Sequence, residues 1–180
     1  MTATAKKTQI SPVSSSELAA PRRVGALDVD LPSIAAISNI FRVANAARNY
    51  MERHVLKDFD LTFSGFTVLW VLWVTGSMET RHIAAEAAIT KGTLTGVLKT
   101  LESQKLVERV TPESDRRLTL VHLTRKGERW MRRIFPRFNA AEAEITAPLA
   151  KGERDLLVNA LRHLLHAIDS LETAKVSTHA

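Results

Sequence analysis

Apolar residues recur every three or four positions along much of the chain, a spacing typical of one face of an amphipathic helix. The first such run follows Asp30, which suits a helix N-cap, and Pro32 suits the first turn. We therefore predict a long helix from Leu31 onwards. Its apolar stripe consists of Ile34, Ile37, Phe41, Ala44, Ala47, Met51 and Val55.

Three shorter helices are predicted next, each with its own boundary signal. The second helix spans about residues 63–74 and ends at Gly76, and the third begins near Thr80. Thr90 supplies an N-cap for the fourth helix. The positions of these last two helices that we expect to be buried are Ile83, Ala84, Ala87, Leu94, Val97, Leu98 and Leu101.

The hydrophobic period shortens towards two after Gln104, which indicates extended structure. Residues 106–110 and 119–123 are rich in β-branched side chains, and residues 111–117 between them form a polar turn. Two short strands joined by a polar turn predict a β-hairpin.

Two long helices complete the predicted order. Thr124 caps the fifth helix, in which Pro136 is expected to produce a kink, and Pro148 marks the break before the sixth. The sixth helix covers residues 151–171, and its apolar stripe consists of Leu157, Leu161, Leu164, Ile168 and Leu171.

A short helix, a tight turn, a second helix and a hairpin are the elements of a winged helix-turn-helix. The predicted fold is thus mostly α with a small β-hairpin wing. The terminal helices carry more apolar surface than this small central unit can cover. They must therefore pack against each other or against a second copy of the chain.

Composition narrows the class of protein. The 180 residues are 45% hydrophobic and 24% charged, which suits a single globular domain. The chain contains no cysteine, which excludes disulfides, thiolate metal sites and a cysteine nucleophile, and fits a reducing cytoplasm. The first sixteen residues contain no apolar segment, so we expect no secretory signal. Residues 61–78 are uncharged, but their apolar centre is too short for a membrane span and predicts a buried helix.

Residues 1–30 contain few large apolar side chains and a run of serines, so we predict a disordered N-terminal tail. The alternative is a basic arm that touches DNA phosphates through Lys6, Lys7, Arg22 and Arg23. Glu17, Asp28 and Asp30 nearly cancel that charge, which favours the tail without function.

The net charge of +6 suggests a polyanionic partner only weakly. The excess is concentrated in residues 126–137, where five side chains are basic and one is acidic. We assign these cations, Lys126, Arg129, Arg132 and Arg133 among them, to long-range electrostatic steering.

The fourth helix carries the first candidate binding residues. Its apolar stripe leaves small hydroxyl side chains, glycines and lysines on the other side, and its N-terminus offers free N–H groups suited to phosphate. An ordinary exposed helix with a threonine cap explains the same pattern equally well. The candidate DNA contacts are Thr90, Lys91, Gly92, Thr93, Thr95 and Lys99.

The hairpin tip carries the second candidate site. Adjacent Arg116 and Arg117 could reach phosphates or the minor groove, and Asp115 could hold one guanidinium in place. A solvated turn with a surface ion pair is the alternative. The position of this tip shortly after the fourth helix favours DNA.

A longer series of motifs resembles the MarR (multiple antibiotic resistance regulator) family. The resemblance covers roughly residues 31–171 and is most specific over residues 61–127, above all in an Asp-x-Arg wing followed by Leu-Thr-x-x-Gly. Lys105 departs from the family pattern, which usually has glycine there; we expect an altered helix end and an unchanged fold. The residues that carry the resemblance are Leu61, Thr62, Phe66, Leu69, Leu72, Ile83, Ala84, Ile89–Thr95, Leu101, Glu102, Leu106–Arg109, Asp115–Arg117 and Leu123–Gly127.

The resemblance implies a homodimer that binds double-stranded DNA at a pseudo-palindromic operator, with one fourth helix in each of two successive major grooves. It assigns residues 31–60 and 138–173 to the dimerisation region and residues 61–137, including the start of the fifth helix, to the DNA-binding domain. It also implies that Asp115 orients Arg117, which enters the minor groove.

Relatives of this kind typically bind small aromatic anions, which weaken DNA affinity. The resemblance therefore implies a pocket between the dimerisation helices and the winged domain. Its candidate residues are the aromatic Phe66, Trp70 and Trp73, with Arg48 and His54 to meet a carboxylate. Plain core packing of the aromatics is the favoured alternative, with Arg48 and His54 in solvent or at a dimer contact.

His163, His166 and Asp169 are candidate metal ligands, since residues three positions apart lie on adjacent turns of a helix. Helical steps of three spread the outer two ligands around the helix, so we predict no metal and no cofactor. Nothing resembles a catalytic triad, a P-loop or a dinucleotide-binding loop, and we predict no enzyme activity.

The sequence thus predicts a dimeric, cytoplasmic transcription regulator, a repressor released by a small aromatic ligand, with no membrane partner. Without cysteine, regulation by thiol oxidation is excluded. A DNA-binding protein without a ligand switch and a winged helix used for protein contacts are the two alternatives.

Overall fold

The computed structural model describes residues 14–111 and 119–178. The chain divides after Ala141 into two units, which we describe separately. A 3-10 turn at Leu56–Phe59 follows the helix that ends at His54. The remaining elements are α1 (Ser15–Val24), α2 (Leu31–His54), α3 (Phe63–Thr75), β1 (Met78–Glu79), α4 (Thr80–Glu86), α5 (Lys91–Ser103), β2 (Val107–Val110), β3 (Leu120–Leu123), α6 (Arg125–Thr146) and α7 (Lys151–Thr178).

The predicted winged helix-turn-helix is confirmed, because α4 and α5 are followed by the antiparallel pair β2 and β3. The strands have the order β1-β3-β2, with Met78 opposite Val121 and Val107 opposite Leu123. The sequence analysis missed β1. Its two residues are too few to show a period, and only the pairing with β3 makes it a strand.

The core of the larger unit lies around α3, which explains why residues 61–78 lack charge. Val68 and Leu69 of α3 are fully buried, as are Ile83 of α4 and Leu106 before β2. This confirms the prediction of a buried helix. None of the helices in the described part of the chain has the length and apolarity needed to cross a membrane.

The prediction of a disordered tail over residues 1–30 is wrong for residues 15–24, which form α1. The Ser14 hydroxyl caps this helix by accepting from the Glu17 amide at 3.2 Å. The Glu17 carboxylate accepts from Asn39 of α2 at 3.3 Å and lies 3.5 Å from the Arg42 guanidinium. Polar contacts with α2, invisible to hydrophobic periodicity, therefore order this segment. Residues 1–13, with Lys6 and Lys7, lie outside the described residues.

Three helix boundaries follow the predicted signals. Asp30 caps α2, and its carboxylate accepts from the Ser33 amide at 3.2 Å and the Ser33 hydroxyl at 2.6 Å. Gly76 ends α3 with φ of 83°. The helix α6 continues through Pro136 to Thr146, and Pro148 lies in the break before α7.

The helices α4 and α5 are each followed by a residue that has a left-handed backbone conformation although it is not glycine. Ala88 follows α4 with φ of 50°, and Lys105 follows α5 with φ of 58°. At the end of α5 the Leu106 amide donates to the Leu101 carbonyl and the Lys105 amide donates to the Glu102 carbonyl, each at 2.9 Å. This pair of bonds is a Schellman motif. The departure at Lys105 thus leaves the expected fold unchanged.

The long helix α2 leaves much of its apolar stripe in solvent. Met51 is buried, but Ile34, Ile37 and Phe41 are 40%, 44% and 64% exposed. In the C-terminal unit, α7 also exposes most of its stripe, including Leu164, Ile168 and Leu171. Each of these helices therefore exposes several large apolar side chains.

Candidate nucleic-acid interface

One face of helix α5 is buried, and the opposite face is exposed to solvent. Leu94, Leu98 and Leu101 are almost completely buried, as the apolar stripe predicted, whereas Val97 of the same stripe is only half-buried. The residues of the opposite face are exposed. They are Lys91, Gly92, Thr93, Thr95, Gly96 and Lys99.

The predicted N-cap of α5 is present. The Thr90 hydroxyl accepts from the Thr93 amide at 3.1 Å and lies 2.9 Å from the Thr93 hydroxyl. The Thr95 hydroxyl donates to the Lys91 carbonyl at 3.0 Å. These bonds hold the three hydroxyl groups in place, and the Thr93 and Thr95 oxygens each keep at least one lone pair that can accept from a base edge.

The electrostatics of α5 favour an anion at its N-terminal end. The first turn contains no acidic side chain, and Lys91 stands at its first position. Glu102, the acidic residue near the other end, pairs with Arg109 of β2 at 2.6 Å. The positive end of the helix dipole is therefore not neutralised within α5.

The wing is described only at its base. Val110 pairs with Leu120, and the His122 imidazole lies 3.0 Å from the Glu108 carboxylate across the two strands. This register sends the chain from β2 to β3 through residues 111–119. Asp115, Arg116 and Arg117, the predicted contacts of the tip, lie outside the described residues.

The Leu-Thr-x-x-Gly motif joins the wing to α6. The Thr124 hydroxyl accepts from the Gly127 amide at 3.1 Å and so caps α6, as predicted. The same hydroxyl donates to the Lys105 carbonyl at 2.7 Å. The motif therefore fastens the start of α6 to the chain that leaves α5.

The aromatic candidates for a ligand pocket pack against α6. Phe66 is buried and stacks on Phe138 with ring centroids 3.9 Å apart, and Trp70 stacks on Phe135 at 4.6 Å. The Trp73 indole N–H donates to Glu128 at 3.2 Å. Phe135 and Phe138 were not among the predicted pocket residues, although their helical spacing in α6 places both towards the core.

Arg48 and His54, the candidate partners of a ligand carboxylate, lie along α2. The Arg48 guanidinium is 5.3 Å from the centroid of the Phe63 ring, and the rings of His54 and Tyr50 are 4.5 Å apart. Phe63 in turn lies 6.2 Å from Phe138. Arg48 is thus joined to the aromatic cluster through Phe63, whereas the ring contact of His54 is with its own helix.

His163, His166 and Asp169, the residues considered as metal ligands, all lie on α7. Within residues 14–111 and 119–178, no three His, Asp or Glu side chains lie together as metal ligands would.

Comparison with known proteins places this geometry in a family. Residues 61–119 match the model of the MarR family. The chain is 34% identical over 145 residues to the helix-turn-helix-type transcriptional regulator YwaE of Bacillus subtilis, covering 81% of this chain and 83% of that one. It is 31% identical to the regulator MgrA of Staphylococcus aureus, covering 72% and 88%.

A solved structure shows the same fold. That protein is BpsR of Bordetella bronchiseptica, described with a mechanism by which 6-hydroxynicotinic acid regulates its DNA binding. The match has a TM-score of 0.66 and 25% identity, and covers 72% of this chain and 97% of BpsR.

Proposed function

This chain belongs to the MarR family of DNA-binding transcription regulators, and on that basis we propose that it is a homodimeric repressor released from its operator by a small aromatic anion. The observation that carries the proposal is the exposed face of α5, where small hydroxyl side chains and glycines lie over a firmly buried apolar stripe. A face of this size and polarity can enter a major groove closely.

We assign the reading of bases to α5, which we call the recognition helix. Thr93, Thr95 and Lys99 would face the groove, and the N-terminal amides near Thr90, Lys91 and Gly92 would meet a phosphate. The wing residues Arg116 and Arg117, with Asp115 as orienting partner, would contact the adjacent minor groove.

The proposed dimer brings two recognition helices to two half-sites. It is supported by the exposed apolar side chains of α2 and, separately, of α7, which a second copy would cover. Two-fold symmetry in the protein requires a pseudo-palindromic operator with half-sites about one helical turn apart.

The proposed effector is an aromatic carboxylate or a related anion. Support comes from BpsR, whose DNA binding is regulated by 6-hydroxynicotinic acid, and from the cluster of Phe66, Trp70 and Trp73 with Arg48 nearby. Such a ligand releases DNA if it binds more tightly to a dimer whose recognition helices fit the operator poorly. The regulator would act in the cytoplasm, without enzyme activity.

The test begins with an operator selected in vitro from random duplexes by the full-length protein. Fluorescence anisotropy then compares this duplex with a scrambled one of equal length, and sedimentation equilibrium measures the oligomeric state. We expect a dimer that prefers its operator by at least about a thousandfold. Equal affinity for both duplexes, with a steep salt dependence, would show that the protein binds DNA without sequence specificity. Failure to bind either would favour a winged helix for protein contacts.

The ligand is tested on the same complex with 6-hydroxynicotinic acid and a series of hydroxybenzoic acids. We expect at least one of them to raise the dissociation constant for the operator about tenfold or more. If none of them changes DNA affinity or quenches the tryptophan fluorescence, the alternative of a regulator without a ligand switch is favoured.

A further inference from the structure

The two ends of the recognition helix are held differently. Its N-terminus is capped by a residue of its own segment, Thr90. Its C-terminus meets another part of the chain, because the last carbonyl groups of a helix lack intrahelical donors. The Gln104 carbonyl accepts from the Lys126 ammonium at 2.8 Å, and the Lys105 carbonyl accepts from the Thr124 hydroxyl at 2.7 Å. The side chains of Thr124 and Lys126, at the start of α6, thus donate hydrogen bonds to carbonyl groups at the end of α5.

Lys126 is itself fixed in place. Its ammonium lies 5.2 Å from the centroid of the Trp130 ring, one turn further along α6. The Trp130 ring meets the buried Phe59 edge-on, with centroids 6.0 Å apart. A cation over an aromatic face is held electrostatically. Lys126 therefore presents its proton donor to Gln104 from a defined position, unlike a lysine free in solvent.

Gln104 is held on a second side. Its side-chain amide donates to the Asp60 carbonyl at 3.1 Å, in the turn before α3. Its side-chain oxygen is buried and has no hydrogen-bond partner among the residues that the structure describes. Besides the bond of its amide to the Thr100 carbonyl at 3.0 Å, Gln104 is therefore held by its contacts with Asp60 and Lys126.

We propose that Lys126 is a positioning residue, which sets the tilt of the recognition helix through the Gln104 carbonyl without itself touching DNA. This rests on the proposed role of α5. The thirteen residues of α5 make a lever of about 20 Å, so a tilt of about 5° at Gln104 moves Lys91 by nearly 2 Å. Such a shift breaks hydrogen bonds to base edges, which tolerate only a few tenths of an ångström. It leaves flexible phosphate contacts in place.

Loss of the hydrogen bond between Lys126 and Gln104 is therefore expected to reduce the specificity of DNA binding rather than the general affinity for DNA. The competing explanation is that Lys126 acts as one more positive charge, by steering or by a phosphate contact. Both explanations lower affinity for the operator. They differ in the ratio of operator to scrambled-duplex affinity and in the salt slope, which falls by about 1 when a phosphate contact is lost.

The experiment compares Lys126→Met with Arg129→Met in the full-length dimer. Arg129 is exposed on the same helix, and its loss removes the same charge. Anisotropy gives the affinity of each variant for the selected operator and for the scrambled duplex over a range of salt. We expect Lys126→Met to lower the ratio of the two affinities about tenfold, with a salt slope equal to that of Arg129→Met. Lys126→Arg, which keeps charge and donors, should recover most of that ratio.

Hydrogen exchange supplies an independent measurement. We expect the amides of Lys105 and Leu106 to exchange faster in Lys126→Met than in Arg129→Met, while the amides of α3 stay unchanged. An affinity ratio equal to that of Arg129→Met, or a Lys126→Met protein that loses α3 protection as well, overturns the proposal. If the wild type shows no preference for its operator, the proposed function fails. In that case the exchange data alone decide whether Lys126 holds α5.

Discussion

The backbone of Gly127 passes so close to the carbonyl oxygen of Leu106 that a Cβ atom at position 127 would overlap it. Any added Cβ would lie far inside the 3.0 Å that real Cβ atoms keep from other heavy atoms, and the obstacle is backbone, which cannot rotate away. The Thr124 amide donates to that same oxygen at 3.0 Å. This contact explains why a glycine follows Thr124 by three positions.

We expect Gly127→Ala to destabilise the protein by about 3 kcal/mol, because the first turn of α6 must separate from the start of β2. Urea unfolding followed by circular dichroism measures the change. Gly152→Ala is the control, since a Cβ there has no atom within 4 Å. It should change stability by no more than about 1 kcal/mol, in the stabilising direction. Equal effects of the two substitutions would contradict the contact.

The left-handed residues at the ends of α4 and α5 give a second prediction. A non-glycine residue pays a steric cost in this conformation, which glycine avoids. We expect Lys105→Gly and Ala88→Gly each to raise the free energy of unfolding by up to about 1 kcal/mol. Lys99→Gly, in the middle of α5, should lower it by a similar amount. A loss of stability in both of the first two variants would contradict the assigned backbone.

Substitution of Gly96 by alanine should change the stability of the protein and its affinity for DNA in opposite directions. A Cβ at this position has no atom within 4 Å, so Gly96→Ala should stabilise α5 by up to about 1 kcal/mol. The same methyl group would obstruct close approach to the groove, and we expect operator affinity to fall about tenfold. Thermal unfolding and anisotropy on one preparation measure both. If affinity rises with stability, Gly96 does not face DNA.

Arg117→Ala tests the wing. We expect strongly weakened operator binding, by about 1–3 kcal/mol if a specific contact is lost, with an intact dimer by sedimentation. Arg116→Ala is the matched variant, because either arginine of the hairpin tip could reach DNA. An unchanged affinity in Arg117→Ala would show that the wing assignment is wrong.

Asp30 gives a dependence on pH. The Ser33 hydroxyl, and secondly the Ser33 amide, lower the pKa of the Asp30 carboxyl. Its stabilisation of α2 is therefore present above the pKa of the unfolded chain and is lost as the pH falls through the lower, folded value. We expect the Ser33 amide to lose protection from exchange in acid. Asp30→Asn keeps a capping oxygen but does not titrate, so its protection should not show this step.

Local signals in the sequence predicted much of this protein. The caps at Asp30, Thr90 and Thr124 and the buried stripe of α5 were all visible, because each depends on residues within one or two helical turns. The family resemblance came from the same short-range patterns. Its glycine at position 127 was recognisable as a motif before its physical reason was known.

Tertiary structure decided what depends on distant partners. The helix α1 exists beside α2 because Glu17 meets Asn39 and Arg42. The strand β1 exists because β3 offers hydrogen bonds. Lys126, assigned from sequence to diffuse electrostatic steering, contacts Gln104 across 22 positions of chain. Hydrophobic period and composition do not encode such pairings, since a hydrogen bond between remote residues leaves no spacing to read.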